Sequence, residues 1–164
     1  MKTVVITVSD SCFQGLREDR SGPDVAARLQ QAGFTVEATL VVPDELEKIA
    51  SALRQQAARV PLVITTGGTG IAARDVTPEA TRSVCERIVE GFGERMRSEG
   101  LKHTPLAPLS RAVCGTFGGS LIVNVPGNPR AAVQSLEAVL HLIPHALALL
   151  LGDTQHGDES STKP

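Results

Sequence analysis

Short apolar runs take turns with longer stretches in which apolar residues recur every three or four positions, the pattern of strands and helices in alternation. Thr3-Val4-Val5-Ile6-Thr7-Val8 predicts a first strand, ended by Ser9-Asp10-Ser11. The charged segment from Phe13 to Ser21 has no apolar period and predicts a mobile loop. Gly22-Pro23-Asp24 then opens a helix with Val25, Ala26, Leu29 and Ala32 on one face and Gly33 at its end. From Phe34 to Val42 every second residue is apolar, predicting a strand with Phe34, Val36, Ala38, Leu40 and Val42 on one side. Leu46, Ile49, Ala50, Leu53 and Ala57 mark the next helix, and Leu62-Val63-Ile64 a strand buried on both faces. Thr77-Pro78-Glu79 reads as a helix start, with Thr77 as N-cap. That helix carries Val84, Ile88 and Val89 until Gly91-Phe92-Gly93 interrupts it, and a short further helix from Glu94 to Ser98 stops at Gly100. After a proline-containing loop, Ala112 to Phe117 and Ser120 to Val125 form a hairpin about Gly118-Gly119. Asn128 as N-cap and Pro129 as first residue begin a helix bearing Val133, Leu136, Val139 and Leu140, and His145 to Leu151 form a last one. The expected fold is a single three-layer, doubly wound α/β domain with a mostly parallel sheet and a late β-hairpin, spanning 1–151, with a polar, disordered tail at 152–164.

The stretch on which the chemistry centres follows the buried strand: Thr65-Thr66-Gly67-Gly68-Thr69-Gly70, then Arg74-Asp75 before the helix at Pro78. Three glycines in four positions let the backbone turn sharply and approach a ligand, with several N–H groups aimed at one anion. A carboxylate beside a phosphate repels it unless a cation lies between, so Asp75 suggests a bound Mg²⁺; equally, Asp75 could pair with Arg74 or cap a turn. In open α/β sheets the loops after the strands' carboxyl ends form the ligand crevice, which makes Ser9, Asp10 and Asp44 further candidates. Ser9 and Asp10 also suit an ordinary turn. Asp44-Glu45-Leu46-Glu47 fits a capping box with Asp44 as N-cap, and a capping side chain can still face a ligand.

Composition narrows the class. At 164 residues the chain suits one domain burying about 70% of its unfolded surface. With four Phe and no Trp or Tyr it lacks the aromatic platforms of single-strand nucleic-acid binders. A net charge of −2 with interspersed signs gives no basic face for nucleic acid or anionic membrane. No apolar run approaches the roughly 20 residues of a membrane span, and Met1-Lys2-Thr3-Val4-Val5-Ile6 enters a strand directly without a leader pattern, so a cytoplasmic location is expected. Cys12, Cys85 and Cys114 are too widely spaced for a zinc pattern and read as small core residues.

Other motifs fall away on their spacing. No Lys-Ser or Lys-Thr follows the glycines, so this is not a Walker A loop. Gly68-x-Gly70-x-x-Ala73 matches a dinucleotide fingerprint literally, yet Pro78 starts the helix too late and the acidic residue of the next strand is missing. His141 and His145 have a metal-ligand spacing, but Pro144 disturbs the helix between them and a packed or solvent-facing pair is expected. Ser110 lacks the glycines of a hydrolase elbow.

Taken as an ordered set, Pro43-Asp44-Glu45, Thr65 to Gly70, Arg74-Asp75-x-Thr77-Pro78-Glu79-Ala80, Gly91-Phe92-Gly93-Glu94-x-Met96-Arg97, Leu109-Ser110-Arg111 and Pro126-Gly127-Asn128-Pro129 resemble the molybdopterin adenylyltransferase family, of MogA/MoaB type and similar to the gephyrin G domain. The resemblance runs from Val4 to Leu151. It implies transfer of AMP from the co-substrate ATP to the terminal phosphate of molybdopterin, with Mg²⁺ or a similar divalent cation, in molybdenum cofactor biosynthesis. It further implies a homotrimer and a molybdenum-insertion protein as a possible downstream partner. By the same resemblance Asp44 and Asp75 are catalytic and metal-holding. Ser9, Asp10, Thr66, Gly67, Gly68, Thr69, Gly70, Arg74, Ser110, Pro126, Gly127, Asn128 and Arg130 would line the nucleotide and pterin site. Arg130 stands where many members carry Lys, which keeps the cation but alters its geometry. A non-catalytic molybdopterin-binding trimeric scaffold is the alternative, against which both carboxylates weigh; an NAD-dependent oxidoreductase is a weaker third.

Overall fold

The computed structural model describes residues 1–152. Six strands form one sheet in the order β2-β1-β3-β6-β5-β4. The four strands β1 (Lys2–Val8), β2 (Thr35–Val42), β3 (Leu62–Thr66) and β6 (Ser120–Val125) pair in parallel. The hairpin strand β5 (Cys114–Phe117) runs antiparallel between β6 and the two-residue β4 (Arg87–Ile88). The helices are α1 (Asp10–Phe13), α2 (Ser21–Gln31), α3 (Leu46–Ala57), α4 (Thr77–Val84), α5 (Glu90–Gly100), α6 (Pro129–Leu140) and α7 (Ile143–Leu150). The expected tail, Gly152 apart, lies outside the described residues.

Alternation along the central strands builds the three layers. Val4, Ile6 and Val8 of β1, Val63 of β3 and Ile122 of β6 face Ile49 and Leu53 of α3 and Ala80 and Val84 of α4. Val5, Leu62, Ile64, Leu121 and Val123 face the other way, toward Val25 and Leu29 of α2, Phe92 and Met96 of α5, Leu136 and Val139 of α6, and Ile143 of α7. Ile6, Leu53, Leu62, Ile64, Leu121 and Ile122 are almost wholly removed from solvent. Within this apolar frame Asn124 is satisfied by donating from Nδ2 to Thr65 Oγ1 and Thr81 Oγ1, each at 2.9 Å. No single helix among the described residues is long and apolar enough to cross a membrane.

Several boundaries differ from the expectation, each for a packing reason. In β2 the register slips between Thr3, opposite Val36, and Val4, opposite Ala38. The bulge leaves Glu37 without a partner, so Phe34 and Val36 join one core and Ala38, Leu40 and Val42 the other rather than a single side. The helix expected to run through Ile88 and Val89 ends at Val84, because the hairpin's open edge recruits the chain: Glu86 N–H donates to the Thr116 carbonyl and Val89 N–H to that of Cys114, both at 2.8 Å. Gly91 and Gly93 do not break a helix. They lie inside α5, where a Cβ on Gly93 would stand 2.8 Å from the Ala112 carbonyl. Thr77 is not an N-cap but a first-turn residue following Val76, and its hydroxyl donates to the Gly67 carbonyl at 2.9 Å. The short helix α1, Asp10–Phe13, was not anticipated. His141 and His145 are exposed as expected. Of the cysteines, Cys114 is buried and Cys12 and Cys85 half-buried; burial pushes the Cys85 thiol up to about 11.

Leu53, with no exposed surface, meets both the sheet and α4, so Leu53→Ala should cost ~2–5 kcal/mol of stability in urea denaturation. A loss below about 0.5 kcal/mol would mean that α3 does not pack as described.

Candidate active site

Four strands deliver their ends to one place. β1, β2, β3 and β6 finish at Ser9, Pro43-Asp44, Gly67-Gly68 and Pro126-Gly127-Asn128, and the segments beyond them surround an open cavity of about 740 Å³. Their close approach depends on missing side chains. Gly67 has φ 101° and sits on the Val8 carbonyl, while a Cβ on Gly127 would stand 3.1 Å from Gly67 Cα. Gly67 N–H donates to the Val125 carbonyl at 3.1 Å and Thr66 Oγ1 to that of Pro126 at 2.8 Å, so the glycine turn is bonded to the strand end beside it. Among the described residues the N–H groups of Gly68, Thr69 and Gly70 take no hydrogen-bond partner.

The cavity's acidic wall is held by a reciprocal pair. Asp10 N–H donates to Asp44 Oδ2 at 2.7 Å and Asp44 N–H to Asp10 Oδ1 at 2.9 Å. Arg74 reaches across to Asp10 Oδ2 through Nη2 at 2.5 Å and Nε at 3.0 Å. That guanidinium, with the Asp44 N–H, holds the Asp10 carboxyl below the usual range. Burial pushes Asp44 up, against the Asp10 N–H and Arg74, while the charges of Asp10 and Asp75 add to the rise. Asp44 is therefore not the N-cap of α3: Glu45 occupies that position without a side-chain bond, and the Asp44 carboxylate is committed to Asp10. Asp75 enters from the loop after the glycines. Its Oδ2 accepts from Ala72 N–H at 2.9 Å, a fold-back that a Cβ on Gly70 would obstruct at 2.7 Å. Arg74 does not pair with Asp75.

The cavity also meets cations and helix starts. Arg17 and Arg20 line it, and neither joins an ion pair among the described residues. Asp19 anchors this segment: its Oδ2 accepts from Thr7 Oγ1 at 2.7 Å and its Oδ1 from Gly22 N–H at 3.0 Å. The starts of α2, at Ser21, and α6, at Asn128-Pro129, face the same space, with Asn128 Oδ1 capping Ala131 N–H at 3.1 Å. Helix N-termini and free cations favour anions there, whereas the acidic wall opposes them unless a cation intervenes.

Of the residues expected at the site, Ser9, Asp44, Gly67, Gly68, Asp75, Gly127 and Asn128 line the cavity. Asp10 and Arg74 stand behind the acidic wall. Thr66 is buried in its hydrogen bond, and Thr69 and Gly70 present their carbonyls to Arg111. Ser110 and Pro126 border a separate pocket of about 60 Å³ beside Met96 and Arg97, and Arg130 is exposed away from the wall. Sequence reasoning missed Cys12, Arg17, Glu18 and Arg20 on the wall, and Arg111 behind the loop. The Asp shortly before Ser21-Gly22-Pro23 is a capping-type signal that could have tied the charged segment to α2.

With this geometry, the model of a probable molybdopterin binding domain matches residues 4–145. The chain is 40% identical to the molybdopterin adenylyltransferase of Helicobacter pylori strain J99, over 96% of this chain and 92% of that protein. It is 39% identical to the molybdopterin adenylyltransferase of Escherichia coli K12, over 82% and 71% respectively. Among solved structures, the molybdopterin biosynthesis enzyme MoaB of Thermus thermophilus superposes with a TM-score of 0.86 at 47% identity, covering 92% of this chain and 96% of that one.

Because burial raises the Asp44 pKa, ionising it costs folding stability: the group is charged in the unfolded chain from its usual 3.8 upward but only at higher pH when folded. Asp44→Asn keeps an acceptor for Asp10 N–H and should be more resistant to urea than the parent protein at pH 7. The gain should shrink as pH falls through the raised pKa toward 3.8. A variant less stable at pH 7 would show that the carboxylate is a net stabiliser.

Proposed function

Because the chain belongs to the family of the probable molybdopterin binding domain, we propose that it transfers AMP from ATP to the terminal phosphate of molybdopterin, a step of molybdenum cofactor biosynthesis. One observation carries the reading: Asp44 and Asp75, delivered by different strand ends, border a single cavity with the Gly67-Gly68 turn between them. A terminal phosphate oxygen of molybdopterin attacks the α-phosphorus of ATP. The bond from that phosphorus to the bridging oxygen breaks, and its electron pair leaves with pyrophosphate. The nucleophile is already ionised, so no side chain has to take its proton. The chain's task is to hold two polyanions in line and compensate charge as it moves to the leaving group.

Gly68 supplies an N–H group for phosphate oxygens, and the starts of α2 and α6, with Arg17 and Arg20, place positive charge at the cavity. The acidic side chains fit a Mg²⁺ ion. Asp44 and Asp75, which border the cavity together with Glu18, would hold it, and the remaining positions would be left to phosphate oxygens and water. Bound there, the ion would neutralise charge on the triphosphate. The same reading brings a cytoplasmic homotrimer that hands its product to a molybdenum-insertion protein. Leu101, Leu106 and Leu109, at least half exposed along one strap, offer apolar surface for a subunit contact.

Pyrophosphate release with ATP, Mg²⁺ and molybdopterin tests the proposal. Asp75→Asn should lower kcat by ~10²-fold or more with the thermal transition unchanged, since it removes compensation of charge in the transition state. Turnover at the parental rate in that variant would overturn the role given to Asp75.

A further inference from the structure

We infer that Arg111 is the positioning residue that fixes Asp75 in the cavity, acting through the backbone of the Thr69–Asp75 loop; the inference rests on the adenylyl-transfer reading. The loop has little to hold it. Ile71, Ala72, Ala73 and Arg74 are exposed, and no helix or strand covers residues 67–76. Its internal bonds, Asp75 N–H to the Ala72 carbonyl at 2.9 Å and Ala72 N–H to Asp75 Oδ2 at 2.9 Å, close a small knot. They do not fix where that knot points, and the bonds of Gly67 to Val125 and Thr77 and of Gly68 to Thr77 hold only the start of the loop.

Arg111 supplies the missing constraint from a segment more than thirty residues away. Its N–H donates to the Thr69 carbonyl at 2.8 Å, its Nε to the Gly70 carbonyl at 2.6 Å, and its Nη2 to the carbonyl of Asp75 itself. One side chain thus grips the loop before and after the knot, and its remaining Nη1 pairs with Glu79 in the first turn of α4. The base of the clamp is also anchored: Arg97 Nη1 donates to the Ser110 and Ala112 carbonyls at 3.3 and 3.2 Å, on either side of Arg111. The ion pair with Glu79 is partly exposed and contributes little on its own, so the carbonyl bonds define the residue's role. The other tether, Arg74 to Asp10, joins the loop to Asp44 and leaves the Asp75 carboxylate unconstrained. A lysine at 111 would reach one carbonyl at a time, because only a guanidinium presents several donors in a fixed plane.

Arg111→Lys and Arg111→Ala, read in two ways, test this. In hydrogen exchange without substrate, both variants should raise exchange of the bonded loop amides, those of Ala72 and Asp75, by ~10-fold or more while strands β1 and β3 keep their protection. In the pyrophosphate assay both should lose ~10²-fold in kcat, the scale of a 1 Å misplacement, with KM for molybdopterin within about threefold. Unchanged loop exchange in both variants overturns the inference, as does a KM rise at constant kcat. Loss of protection throughout the sheet in the lysine variant would also overturn it, by making Arg111 a general stabiliser. A parent protein without turnover would sink the transfer reading alone, since the exchange measurement still decides whether Arg111 holds the loop.

Discussion

Backbone meets backbone where β1, β3 and β6 end, and the site exists because nothing stands between them. Gly67 lies on the Val8 carbonyl with φ 101°, and Gly127 packs against Gly67 Cα from the other side. A side chain at either glycine would push the strand ends apart, and with them the turns that carry Asp44, Asp75 and the start of α6. The parallel sheet sets this up: neighbours in register bring their carboxyl ends to one edge. The small residues allow that edge to close.

Around this junction charges of both signs gather. Asp10 and Asp44 brace each other through reciprocal backbone bonds, and Arg74 neutralises Asp10 rather than Asp44. The carboxylate left with uncompensated charge is thus the half-buried one facing the cavity. A carboxylate so placed costs stability when ionised, and a nearby cation would offset that cost. Arg17, Arg20 and two helix starts at the same cavity offer the opposite sign, beside Glu18.

Much of this was legible in the sequence because local chemistry and tertiary role coincide. Leu62-Val63-Ile64 reads as a central strand, Gly67 to Gly70 as a turn approaching a ligand, and Asn128-Pro129 as a capped helix start; the strand, the turn and the cap are all present. Where local signals served a distant partner, they misled. Asp44 looked like a cap because Asp-x-x-Glu usually is one, yet Asp10, thirty-four residues earlier, claims its carboxylate. Gly91 and Gly93 looked like a break, although α5 runs through both and needs the smallness of Gly93 to lie against Ala112. The alternation in β2 concealed a bulge at Glu37 that only the pairing with β1 reveals. Arg17 and Arg20 carried no periodic or motif signal, and Arg111 stood in a motif block without a role, because their positions follow from how loops fold over the sheet rather than from their neighbours in sequence.

The account stands on a nucleotide's phosphates lying at the Gly67–Gly70 turn between the two acidic side chains. A crystal structure of the protein soaked with a non-hydrolysable ATP analogue and Mg²⁺ tests this most directly. The expected density has phosphate oxygens within hydrogen-bond distance of the Gly68 amide and one ion touching both Asp44 and Asp75. A triphosphate bound elsewhere, with neither carboxylate near an ion, would contradict it.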